Sequence, residues 1–128
     1  MIATLSVRQL VTLHEELMAS FGGRRGLRDR AALEAASARP DATFDGEDLY
    51  ADLAAKAAAL MHSLVVNHAF VDGNKRAAFL SVGLFLALSG FRLNAAQVDA
   101  TLTVMSVASG DIDEPAFARW IRANSVPR

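Results

Sequence analysis

An apolar run from Ala77 to Leu88, broken only by Ser81 and Gly83, narrows the possible folds of this chain more than any other stretch. Charge returns at Arg76 on one side and at Arg92 on the other. The run is shorter than the ~18 residues that a membrane span requires. A helix that is apolar all round and too short to cross a bilayer is one surrounded by other helices. The run therefore predicts a central buried helix, ending at Gly90 in the position after the cap where glycine is favoured.

The flanking sequence supplies the helices to surround it. Ser6-Val7-Arg8-Gln9 reads as a capping box, and Val7, Leu10, Val11, His14, Leu17, Met18 and Phe21 then recur at helical spacing until Gly22-Gly23. Gly22 to Arg28 reads as a flexible basic loop, with Arg24, Arg25 and Arg28 solvated or, less commonly for such residues, contacting a macromolecular partner. Asp29 suits the cap of a short second helix reaching about Ala38, and Pro40 stops it. A loop with a short extended piece near Thr43 follows. Asp48 suits the cap of a third helix, whose Leu49, Leu53, Ala57, Leu60, Met61 and Leu64 form one stripe. Asn94 to Gln97 resembles another capping box, opening a fifth helix with Val98, Leu102, Met105 and Ala108 and ending at Gly110. Asp113 begins the last, with Pro115 in its first turn and Phe117, Trp120 and Ile121 inward. The expectation is an all-α fold of about six helices, in one domain over residues 1–128.

Bulk properties exclude several classes. With a formal net charge of −1 the chain carries no broad footprint for nucleic acid, so no direct DNA binding is expected. The absence of cysteine rules out disulfides and thiolate metal sites. Neither a leader-like segment nor a membrane span is apparent, which fits a cytoplasmic protein.

The chemistry concentrates just before the apolar run, in His68-Ala69-Phe70-Val71-Asp72-Gly73-Asn74-Lys75-Arg76. Asp72-Gly73 signals a turn, and Asn74 suits a helix N-cap. A helix start attracts anions, yet Lys75 and Arg76 fall in its first turn, at a cost of roughly 0.3–1 kcal/mol each. A bound polyanion such as a nucleotide phosphate would offset that. An isolated loop histidine most simply bonds backbone. His68, next to the dipole, two cations and an expected burial that all favour neutral imidazole, reads better as a general base. Asp72 either makes the turn or ligates Mg²⁺, which takes one or two carboxylates alongside substrate phosphates. Asn74 is read as both cap and ligand contact, and Phe70 as the anchor of the loop. Phe44 is a docking residue or, more commonly for such a side chain, a cover for the core. His14 lies on the apolar stripe of the first helix and reads as a satisfied core histidine; His62 has no assigned role. No zinc-protease, nucleophile-elbow, P-loop or dinucleotide motif occurs.

The nine-residue stretch resembles the Fic/Doc signature H-x-F-x-[DE]-G-N-x-R, and most closely the Doc (death on curing) toxin branch, where Lys commonly stands between Asn and Arg. Gly26-Leu27-Arg28-Asp29, Leu33-Glu34, Ala38-Arg39-Pro40, Phe44-Asp45-Gly46 and Ala57-Ala58-Ala59-Leu60 extend the likeness over residues 5 to 122 or so. The resemblance implies a Fic-type helical fold with the motif between two central helices. It implies that His68 is catalytic, that Asp72 holds Mg²⁺, that Gly73, Asn74, Lys75 and Arg76 bind nucleotide phosphates, and that Thr43, Phe44, Asp45 and Gly46 belong to a target-docking flap. Lys75 and Phe79 stand where the AMP-transferring Fic pattern has Gly and Arg, and Ala69 where Doc chains commonly have Pro. The implied activity is that of a toxin moving the γ-phosphate of ATP to a threonine of the translation factor EF-Tu, held in check by a Phd-like antitoxin. AMP transfer, or a non-catalytic binding module, is the alternative.

Overall fold

Six helices form among residues 4–128, the part of the chain described by the computed structural model. Helix α1 (Val7–Phe21) opens on the expected capping box. The Ser6 hydroxyl accepts from the Gln9 N–H at 3.1 Å, and Gln9 Oε1 accepts from the Ser6 N–H at 2.8 Å. Helix α2 (Arg30–Ala38) opens on Asp29, whose carboxylate accepts from the Ala32 N–H, and a 3-10 turn over Arg39–Asp41 takes in Pro40. The all-α class holds, since the only strands among the described residues are two- and three-residue ribbons.

The helix at the centre is not the expected one. In α3 (Leu53–Asn67) ten of fifteen residues are buried, against six of fifteen in α4 (Asn74–Leu88). It packs against α2, α4, α5 (Gln97–Ser109) and α6 (Glu114–Asn124). The apolar run in α4 instead leaves a seam outside, with Leu80 and Leu88 exposed and Leu84 half-buried between them, one face at i, i+4, i+8. Side-chain size accounts for the exchange. Ala54, Ala57, Ala58 and Ala59 of α3 are all buried, and such small residues let neighbouring helix axes approach from several directions.

Three helix starts or faces differ from expectation. Asp52, not Asp48, caps α3, accepting from the Ala55 N–H at 2.9 Å. The same carboxylate takes the Arg122 guanidinium of α6 at 2.7 and 3.0 Å, joining the central helix to the last one. Leu49 consequently lies before the helix and is exposed. Helix α5 begins after Ala96 without a side-chain cap, and Asn94 uses its backbone N–H on the Asn124 carbonyl at 2.6 Å. Val98, Leu102 and Met105 face out, while Ala100, Val104 and Val107 face the core. Both sets recur at helical spacing, so periodicity did not distinguish them. Helix α6 follows expectation: Asp113 caps it through the Ala116 N–H, and Phe117 and Ile121 are buried.

The short extended piece expected near Thr43 is one strand of an antiparallel ribbon, and a second ribbon was not anticipated, being too short for alternation to register. Strands β1 (Thr43–Phe44) and β2 (Glu47–Asp48) pair around Asp45-Gly46, both at positive φ (53° and 80°), the tight hairpin geometry that Asp-Gly favours. Strands β3 (Phe91–Leu93) and β4 (Ser125–Pro127) pair the segment after α4 with the segment after α6. Lys56 fastens the first hairpin to the central helix. Only 5% exposed, its ammonium donates to the Pro40 carbonyl at 2.9 Å and meets Asp48 of β2 at 3.2 Å.

The double role of Asp52 gives a stability test. The Arg122 guanidinium and the Ala55 N–H hold its carboxyl below the usual carboxylate range. Its folded pKa lies under the unfolded one, so its contribution is complete at neutral pH and fades as acid protonates it. Asp52→Ala should lower the unfolding free energy by about 1 kcal/mol at pH 7, measured by urea denaturation. The gap from the parent protein should close as the pH falls through and below the ordinary carboxylate range.

Candidate active site

The motif loop leaves α3 through His68, a non-glycine residue in the left-handed region (φ 47°, ψ 57°). The chain then turns into α4 through Gly73, also left-handed at φ 73°. A Cβ at Gly73 would lie 2.5 Å from Met18 Cε, so the sequence's Asp-Gly signal here marks a close approach as well as a turn.

The loop after α1 runs alongside and grips the motif. Leu27 and Phe70 form an antiparallel bridge, and the Gly26 carbonyl accepts from the Val71 N–H at 3.0 Å. The Ala69 carbonyl accepts from the N–H groups of both Arg28 and Asp29, at 2.8 and 3.0 Å. Arg28 adds its side chain, Nε donating to the His68 carbonyl at 2.8 Å and Nη2 to the Asn67 carbonyl at 3.1 Å. The segment expected to be a flexible loop is thus a clamp, although Arg24, Arg25 and Arg28 are exposed as expected. Sequence reading missed it because its bonds run largely through backbone, which no side-chain pattern encodes.

Support from beneath comes from α1. The Phe70 ring is buried and stacks on His14, with centroids 3.9 Å apart and planes within 3°. His14 Nε2 lies 2.7 Å from the Asp72 carbonyl; a carbonyl only accepts, so that nitrogen carries the proton. The core-histidine and anchor readings both hold, and His14 further positions Asp72. Asn74 departs from expectation. It is the first residue of α4 rather than its cap, and its amide is spent on Phe70, accepting from the N–H at 3.0 Å and donating to the carbonyl at 2.9 Å. Helix α4 therefore starts without a side-chain cap.

An open cleft of about 530 Å³ lies over this helix start. His68, Asp72, Gly73, Asn74, Lys75 and Arg76 all line it, with Met18, Gly22 and Val71 completing the wall. His68 is exposed, contrary to the expected burial. No acidic side chain occupies the first turn of α4, and among the described residues neither Lys75 nor Arg76 has an ion-pair partner. The Arg76 guanidinium sits over the Phe21 ring at 4.9 Å. Phe21, expected on the buried stripe of α1, is 68% exposed.

Asp72 presents its carboxylate at the cleft with two backbone donors, Arg24 N–H at 3.0 Å and Gly73 N–H at 2.8 Å. These bonds, Arg24's first, hold its carboxyl below the usual carboxylate range. The group is thus ionised throughout the neutral range, as a hard-cation ligand must be. Among the described residues no cluster of three or more His, Asp or Glu side chains could cage a metal. The donor set fits Mg²⁺ in one manner: a single carboxylate completed by phosphate oxygens and water. Thr43, Phe44, Asp45 and Gly46 form the hairpin β1–β2 and do not line the cleft. Phe44 is 76% exposed, which removes the core-cover reading. No helix among the described residues is long and apolar enough to cross a membrane.

Comparison with known proteins bears on this geometry. The model of the Fic/DOC family matches residues 4–86, from the approach to α1 through most of α4. Over 101 residues the chain is 46% identical to Toxin Doc of Mycolicibacterium smegmatis, covering 77% of this chain and 78% of that protein. Over 118 residues it is 31% identical to Protein kinase doc of Escherichia phage P1, covering 92% of each.

The His14 contact is separable by substitution. His14→Phe retains an aromatic ring against Phe70 but no N–H for the Asp72 carbonyl. It should lower stability by about 1–3 kcal/mol, the cost of leaving that acceptor unpaired, in a chemical denaturation series. A stability equal to the parent's would mean that the hydrogen bond contributes nothing.

Proposed function

The chain belongs to the Fic/DOC family, and from that premise we propose that it is a Doc-type toxin that moves the γ-phosphate of ATP to a hydroxyl of a protein. The carrying observation is the cleft, in which His68, Asp72, Lys75 and Arg76 converge on the uncapped start of α4. An open helix N-terminus beside two cations without acidic partners is a site for a polyphosphate. One relative is named a protein kinase and the other a toxin, which supports phosphoryl transfer and a toxic role here. Phe79 is half-buried against the core and does not line the cleft. No second phosphate clamp is then offered from that position, which favours the γ-phosphate over the α-phosphate as the group transferred.

In-line transfer depends on positioning and charge neutralisation more than on covalent participation by the protein. His68 takes the proton of the target hydroxyl. The freed oxygen forms its bond to the γ-phosphorus as the bond from that phosphorus to the β–γ bridging oxygen breaks, and ADP leaves. Lys75, Arg76 and the first N–H groups of α4 bind and orient the phosphates. Asn74 keeps the loop closed on Phe70 while they do so. Mg²⁺ at Asp72, when bound, supplies further neutralisation of the phosphate oxygens. By resemblance to the Doc branch the acceptor is a threonine of EF-Tu, which would stop translation in the cytoplasm, and the partner is a Phd-like antitoxin. The exposed Phe21 and Val71 beside the cleft are suited to cover by such a partner. The hairpin carrying Phe44 is the proposed docking flap for the target.

Incubation with Mg²⁺, EF-Tu and ATP labelled at either the α- or the γ-phosphate decides the matter. Label should pass to EF-Tu from the γ-position only, and His68→Ala should slow that transfer by about 10²–10⁴-fold while leaving the fold intact. Asp72→Ala should weaken Mg²⁺-dependent ATP binding in calorimetry. Transfer of α-label would assign AMP transfer instead, and label from neither would assign a binding module.

A further inference from the structure

Helix α3 ends in an unusual way. The last carbonyls of a helix have no partner within it, and a left-handed glycine just past the end commonly satisfies them. Here the left-handed residue is His68, which bears a steric cost that glycine does not. Something outside the helix must hold it there. The donors come from one place: the Arg28 guanidinium takes the Asn67 and His68 carbonyls, and the Arg28 and Asp29 N–H groups take that of Ala69. Three successive peptide planes through the proposed base are gripped by two adjacent residues. Asp29 is itself fixed, because its carboxylate caps α2. A planar fork bonding two neighbouring carbonyls sets their orientation, whereas an ammonium is a point charge that cannot reproduce the fork.

Resting on the kinase reading above, we infer that Arg28 is a positioning residue: it fixes the backbone of His68 and thereby aims the imidazole at the acceptor hydroxyl. Arg28 does not line the cleft, so it acts on the histidine and not on the phosphates. It lies at the surface, so its replacement leaves the core intact.

The test compares the parent protein with Arg28→Lys and Arg28→Gln, using two readouts. One is amide hydrogen exchange of residues 67–71, which needs no activity. The other is steady-state transfer of γ-label from ATP. Both variants should exchange faster in that segment. Both should lose about 10–100-fold in kcat, the scale of a small misplacement of a reacting group, with the KM for ATP unchanged. Full activity in Arg28→Lys would overturn the inference, because charge alone would then suffice. So would a raised KM for ATP with kcat intact, which marks a phosphate contact. A lower unfolding midpoint with normal kcat, which marks a merely structural role, would also overturn it. If the parent transfers no label while both variants still loosen residues 67–71, the positioning stands and the kinase reading falls.

Discussion

Two loops lying side by side, Gly26–Asp29 against Ala69–Val71, hold the cleft in shape. Neither is part of a regular element, and each would leave backbone groups unpaired without the other. Their cross-bonding through Leu27–Phe70, Gly26–Val71 and Ala69 with Arg28 and Asp29 makes a short stretch of sheet-like structure inside a helical protein. Below it, His14 stacks on Phe70 and donates to the Asp72 carbonyl, so the same loop is also seated on α1. A loop bonded from the side and from beneath has little freedom, and preorganised groups of this kind are what positional catalysis requires.

The electrostatics of the cleft follow from what that seating leaves unused. Asn74 bonds back to Phe70 and cannot cap α4, so the positive end of the helix is left facing the cleft. Lys75 and Arg76 then stand where the dipole disfavours cations, with no carboxylate in the first turn. Asp72, the one carboxylate lining the cleft, is engaged by the Arg24 and Gly73 N–H groups and stays ionised. An excess of positive charge in a concave site, with one anionic group placed to hold a divalent cation, is suited to a metal-bound polyphosphate.

The packing around the cleft explains which helix does what. Helix α3 leads directly into His68, and its run of alanines lets α2, α4, α5 and α6 crowd around it. The histidine is thus carried on the most enclosed element of the fold. Arg122 binds the Asp52 carboxylate at the other end of that helix, and Lys56 secures the β1–β2 hairpin to its side. The hairpin is thereby tied to the same enclosed helix that leads into His68.

The contiguous motif that lines most of the cleft, the all-α class and the helix caps at Ser6, Asp29 and Asp113 were legible in the linear order of residues. Each depends on neighbours three or four positions apart, or on a contiguous motif. The identity of the central helix was not legible: the apolar run in α4 looked more buried than the alanine-rich α3, yet close packing follows side-chain size as well as hydrophobicity. Nor was the outward face of α5, because Val98, Leu102 and Met105 share a helical period with the residues that point inward. The hydrogen-bond partners of Arg28 and His14 were decided by tertiary structure alone. Their partners are backbone atoms of a loop 58 positions away for His14 and 39 or 40 away for Arg28, and a bond to a peptide group leaves no trace in the identity of the residue that carries it.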